Sequence, residues 1–101
     1  MKIALIGSGS GGHIYPCIAF YQYATSFQHQ CSVFLFKEID EKIYQQQNIH
    51  GIVVPTTLSS YKKYQFLKKQ FAEQQFDCLI TFGGKVSFIA TLAAKKLKIP
   101  V

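Results

Sequence analysis

Between an apolar run, Ile3-Ala4-Leu5-Ile6, and an apolar pattern at helical spacing lies the stretch Gly7-Ser8-Gly9-Ser10-Gly11-Gly12-His13-Ile14-Tyr15-Pro16. Strand, glycine turn, helix is the order in which an α/β fold builds a phosphate site. Glycine admits positive φ and lets the backbone approach a ligand closely. The helix that follows offers unpaired N–H groups and the positive end of its dipole to an anion. Gly7, Gly9 and Gly12 also satisfy the dinucleotide fingerprint G-x-G-x-x-G, so glycine spacing alone does not name the ligand. His13 at the helix start and Pro16 in its first turn, where proline costs little, sharpen the pattern. The loop holds more glycine than a tight turn needs, which favours ligand contact.

The rest of the chain repeats the strand-helix order. Residues 2–6 are too uniformly apolar to alternate and read as a buried strand. Ile14, Cys17, Ile18, Tyr21 and Ala24 share one face of a helix that runs to about Gln28. Cys31–Phe36 is a second strand, Lys37–Gln47 a short solvent-facing helix, and Gly51–Pro55 a third strand closed by its proline. Ser59 or Ser60 caps a helix over Tyr61–Gln75, with Tyr64, Leu67, Phe71 and Phe76 along its inner stripe. Tyr61 and Phe66 lie off that stripe. Asp77–Phe82 is a fourth strand, followed by a Gly83-Gly84 turn and a helix over Val86–Lys98 with Ile89, Leu92, Ala93 and Leu97 inward. Ile99-Pro100-Val101 looks like a strand beginning.

This alternation predicts right-handed crossovers and a Rossmann-like, doubly wound parallel sheet of the α/β class. Both glycine loops leave the carboxyl ends of strands, the rim where such sheets bind ligands. Gly11, Gly12, Gly83 and Gly84 are therefore expected to converge on one cleft.

At 101 residues the chain is one small domain, and 49% hydrophobic with 16% charged residues reads as globular. The net charge is +6, and all the basic residues are lysine, which suits an anionic partner. Nucleic acid is disfavoured, because there is no arginine for bidentate contacts and no nucleic-acid-binding motif. Cys17, Cys31 and Cys78 are odd in number and embedded in apolar runs, as buried reduced thiols are. No apolar run approaches the roughly 20 residues needed to span a bilayer, and no signal peptide is seen. The expected location is the cytoplasm. His29 and His50 have no partner at a useful spacing, no carboxylate cluster suggests a metal, and no cofactor is implied.

Ser8-Gly9-Ser10-Gly11-Gly12-His13-Ile14-Tyr15-Pro16 resembles the first glycine-rich loop of the MurG family of GT-B glycosyltransferases, which is glycosyltransferase family 28. Phe82-Gly83-Gly84-Lys85-Val86-Ser87, with Leu92-Ala93-Ala94 and Leu97-Lys98-Ile99-Pro100-Val101, is similar to the family's second glycine loop and the helix and strand after it. The resemblance implies that residues 1–101 are an incomplete N-terminal, acceptor-side domain, with the donor domain lying elsewhere. It implies a hexosyltransferase of peptidoglycan synthesis, peripheral on the inner face of the plasma membrane. The donor would be UDP-N-acetylglucosamine and the acceptor an undecaprenyl-diphosphate-linked muramyl-pentapeptide.

Carried over residue by residue, the resemblance makes His13 the catalytic base and Ser10, Gly11 and Gly12 donor contacts. Gly9, His13, Gly83, Gly84 and Lys85 become contacts to the acceptor diphosphate. Lys85 stands where the family usually has tyrosine, and the bulky Phe88 and Ile89 replace a small stretch. From its position alone, His13 is a neutral base at a helix N-terminus, or a residue that caps the helix or hydrogen-bonds a phosphate. The helix over Tyr61–Gln75 is either an ordinary amphipathic core helix or an interfacial one. The family's membrane patch maps here, onto Tyr61, Lys62, Lys63, Phe66 and Lys69, and favours contact with an anionic membrane surface. Three other readings compete: half of a split transferase with a separate donor-binding subunit, a non-catalytic nucleotide-binding Rossmann module, and a membrane-surface module. A dinucleotide site wants an acid at the end of the second strand, where Lys37 stands beside Glu38.

Overall fold

The computed structural model describes residues 1–8, 11–55 and 57–101. Strands and helices alternate as β1 (Lys2–Ile6), α1 (Gly11–Ser26), β2 (Gln30–Leu35), α2 (Glu38–Gln46), β3 (Ile52–Val53), α3 (Ser60–Gln74), β4 (Cys78–Thr81) and α4 (Lys85–Lys96). The strands form one sheet in the order β3-β2-β1-β4, and every pairing is parallel. The expected α/β architecture is therefore the observed one.

Uniformly apolar strands follow from a sheet covered on both faces. In β1, Ile3 and Leu5 join Ile14, Cys17, Val33, Leu35 and Tyr44 in one core, under α1 and α2. Ala4 and Ile6 join Phe34, Leu67, Phe71, Leu79 and Ala93 in the other, under α3 and α4. Phe34 meets Phe71 and Phe76 edge-on, with ring centroids 5.4 and 6.0 Å apart. Such tilted pairs add about 0.5–1.5 kcal/mol beyond area burial.

The chain steps from β1 outward to β3, then returns to lay β4 on the other side of β1. The carboxyl ends of β1 and β4 therefore lie side by side at the switch point, with Ile6 opposite Thr81. Phe82 N–H donates to the Ile6 carbonyl at 2.9 Å and carries the pairing into the second glycine loop.

Local details depart from the sequence reading in four places. The helix α1 begins at Gly11, so Pro16 lies inside it, in the second turn. Having no N–H, it cannot bond the carbonyl four residues back, at Gly12. The third strand is only two residues long, though Val54 N–H still donates to Leu35 O at 2.7 Å. Ile99–Val101 are not a strand, but Leu79 N–H donates to Pro100 O at 2.8 Å, so this segment lies along the outer edge of β4. Leu92, read as inward, is 45% exposed. The reason is that α4 meets the sheet through Ile89, Ala90, Ala93 and Ala94, and Leu92 falls outside that face. The expected cap of α3 is present: Ser59 Oγ accepts from Lys62 N–H at 3.3 Å.

Candidate functional site: two glycine loops at the sheet's switch point

The first loop leaves β1 at Gly7. A Cβ there would lie 2.5 Å from Cys17 Cβ, 2.8 Å from His13 O and 2.9 Å from the Tyr44 hydroxyl, so only glycine fits. The Tyr44 hydroxyl donates to Gly7 O at 2.6 Å. Ser8 turns its side chain inward and donates to Asp40 at 2.5 Å. Gly9 and Ser10, a diphosphate and a donor contact on the sequence reading, lie outside the described residues. Gly11 and Gly12 are the first two residues of α1, and the first four N–H groups of any helix lack intrahelical acceptors.

His13, in that first turn, faces the second loop. Its Nδ1 lies 2.6 Å from the Phe82 carbonyl oxygen. A carbonyl only accepts, so Nδ1 carries a proton and donates, and in the neutral ring the lone pair then sits on Nε2. Gly83 and Gly84 have φ of +101° and +95°, a region that penalises any Cβ. A Cβ on Gly83 would also lie 2.7 Å from His13 Cε1. A Cβ on Gly84 would find ordinary contacts, 3.7 Å from Ser8 O and 4.0 Å from His13 Nε2. The second loop, about 70 residues further along the sequence, thus packs against the His13 ring, and Ser8 O of the first loop lies on the side of Gly84. Ser87 braces the second loop by donating from Oγ to Gly83 O at 2.6 Å.

Lys85, exposed at the first position of α4, follows the second loop directly and borders a second feature. It lines an almost wholly apolar groove of about 440 Å³ with Tyr61, Tyr64, Phe88, Ile89 and Leu92. Of the membrane-contact set read from the sequence, Tyr61, Lys62 and Lys69 are exposed and Lys63 is half-buried. Phe66 is half-buried and packs against the core that α3 and α4 cover. Phe88 and Leu92 of α4, missed on the sequence because periodicity does not tell which helix faces stay uncovered, complete the exposed apolar surface.

Burial pushes the Cys17 thiol from 9.0 up to about 11 and raises the neighbouring Tyr44 phenol as well. Among the described residues no three His, Cys, Asp or Glu side chains group as a metal site, and no helix is long and apolar enough to cross a membrane.

A doubly wound parallel sheet with two glycine loops leaving neighbouring strands at its switch point defines a Rossmann-like domain. Residues 3–101 match the glycosyltransferase family 28 N-terminal domain, and the chain belongs to that family. One relative is the UDP-N-acetylglucosamine–N-acetylmuramyl-(pentapeptide) pyrophosphoryl-undecaprenol N-acetylglucosamine transferase of Lactococcus lactis subsp. lactis (strain IL1403). It is 30% identical over 117 residues, covering 99% of this chain and 33% of the relative. The transferase of the same name from Bacillus pumilus (strain SAFR-032) is 32% identical over 118 residues, covering 99% and 32%. The crystal structure of Acinetobacter baumannii MurG shares the fold, with a TM-score of 0.86 at 20% identity over 99% of this chain and 33% of that one. The chain thus spans about a third of the length of these relatives.

Proposed function

We propose that this chain is the acceptor-side part of an inverting N-acetylglucosamine transferase of peptidoglycan synthesis. The donor would be UDP-N-acetylglucosamine and the acceptor a lipid-linked muramyl-pentapeptide, the substrates that the relatives' names carry. The observation behind this reading is the His13 ring, oriented by the Phe82 carbonyl beside the second loop so that in the neutral ring Nε2 can accept a proton.

In the proposed step an acceptor sugar hydroxyl attacks the anomeric carbon of the donor. The new C–O bond forms on the face opposite the leaving UDP, the bond to the diphosphate oxygen breaks, and the hydroxyl proton passes to Nε2. The Gly11 and Gly12 amides, at the positive end of α1, would meet diphosphate charge. Lys85 and the Gly83-Gly84 backbone would meet the acceptor's diphosphate. The remaining donor-binding structure would come from a further part of this polypeptide or from a separate subunit.

The apolar groove fits a role at a membrane surface. Tyr61, Phe88 and Leu92 present apolar area, and Lys62, Lys69 and Lys85 present charge to anionic lipid. The dinucleotide alternative is weak at the end of β2. Asp40, the buried carboxylate there, is taken up by Ser8 and by the backbone of Phe36 and Lys37.

The test joins this chain to a family 28 donor-binding domain and measures transfer. His13→Ala is expected to lower turnover by roughly 10²–10⁴-fold with little change in donor binding. His13→Asn keeps a hydrogen-bonding side chain but cannot act as the base. Near-normal turnover in the Asn variant would remove His13 from the proton transfer.

A further inference from the structure

Asp40 is a carboxylate with no exposure to solvent. A buried carboxylate costs several kcal/mol unless compensated, so its partners indicate what it does. Two of them are local: the Lys37 and Phe36 N–H groups approach Oδ2 at 3.2 and 3.4 Å, at the positive end of α2. These would serve to start the helix and nothing more. A third partner is not local. Ser8, 32 residues earlier and 3% exposed, donates its hydroxyl to the same oxygen at 2.5 Å.

That bond sets how the first loop leaves the sheet. With the Ser8 side chain drawn inward, its carbonyl lies on the side of the second loop, 3.7 Å from where a Gly84 Cβ would be. One residue earlier, the Tyr44 hydroxyl holds the Gly7 carbonyl from the same helix. Two side chains of α2 thus grip consecutive residues at the point where the chain enters its glycine run. Glycines have the most backbone freedom to lose, and a ligand that had to order them would bind more weakly by that cost.

We infer that Asp40, acting through Ser8, is a positioning residue that fixes the start of the first glycine loop for a diphosphate group without touching it. This rests on the reading of that loop as a diphosphate contact. The hydroxyl-carboxylate bond holds the start of the loop, and the α1 amides of Gly11 and Gly12 beyond it are then presented to the anion already in place.

The experiment titrates the ¹⁵N-labelled full chain with inorganic pyrophosphate, following the Gly11 and Gly12 amide signals, with thermal melts in parallel. Ser8→Ala and Asp40→Asn are expected to weaken pyrophosphate binding by about tenfold. Ser8→Thr, which restores the hydroxyl, is expected to recover it. If Asp40→Asn does not fold, the Ser8→Ala and Ser8→Thr pair decides alone. Lower melting temperatures with unchanged affinity would overturn the positioning role and leave the loop a diphosphate contact. A wild-type chain whose Gly11 and Gly12 signals do not respond to pyrophosphate would overturn the diphosphate reading, and the positioning role with it.

Discussion

The two glycine loops lie side by side but are held by different means. The first is gripped from beneath by buried side chains of α2, Asp40 on Ser8 and Tyr44 on Gly7. The second is held largely by its own backbone, with two glycines at positive φ, Ser87 bracing Gly83 O and His13 donating to Phe82 O. Glycine is accordingly required for different reasons. At Gly7 it is space, at Gly84 conformation, and at Gly83 both. A loop held by buried side chains is sensitive to changes at distant residues, whereas a loop held by φ is most sensitive to changes at its own residues.

Gly83→Ala should break this arrangement most severely, because its methyl strains the turn and displaces the ring that the Phe82 carbonyl orients. In the chain joined to a donor-binding domain, a misplacement of this kind is expected to lower turnover by about 10²-fold. Gly84→Ala pays a strain of order 1–3 kcal/mol but leaves the His13 ring in place. Equal turnover in the two variants would show that conformation alone matters at both sites.

The side-chain grip should show in alkali. The folded chain holds the Cys17 proton more tightly than the unfolded one, since burial pushes the thiol from 9.0 up to about 11. Tyr44 shifts in the same direction, again chiefly by burial. A folded-state value above the unfolded one gives stability that is whole below about pH 9 and lost as pH climbs toward 11. For Cys17 the loss is about 2–3 kcal/mol. Urea midpoints at about pH 8 and about pH 10.5 measure it, and Cys17→Ala should flatten the pH dependence.

Gly7→Ala sharpens the contrast in space. Its methyl meets backbone and Cβ atoms that cannot swing aside, and is expected to cost about 1–3 kcal/mol in chemical denaturation. The smallest effect per residue is expected at the lysines of α3. Replacing Lys62, Lys63, Lys68 and Lys69 by glutamine should weaken binding to anionic vesicles by about 1 kcal/mol per charge at low salt. Equal binding to neutral vesicles would show that the apolar groove acts without them.

Much of the fold was legible in the order of residues. The four strands, the four helices and the Ser59 cap lie within a few residues of where periodicity and capping chemistry put them. The candidate site was legible only as two glycine runs at strand ends. Asp40 carried no signal, being one acid in the polar stretch Glu38-Ile39-Asp40-Glu41. Nothing in that stretch distinguishes a solvated carboxylate from a buried one.

The sequence by itself determined the period of each segment and the places where glycine relieves the backbone, because these depend on neighbours along the chain. Tertiary structure decided what each face meets. Phe66 went inward and Leu92 outward because helical spacing describes a side chain relative to its own axis and says nothing of the helix or sheet packed beside it. The proton on His13 was decided the same way. It sits on Nδ1 because a carbonyl 69 residues away, at Phe82, lies 2.6 Å from that nitrogen, and only the pairing of β1 with β4 brings the two together.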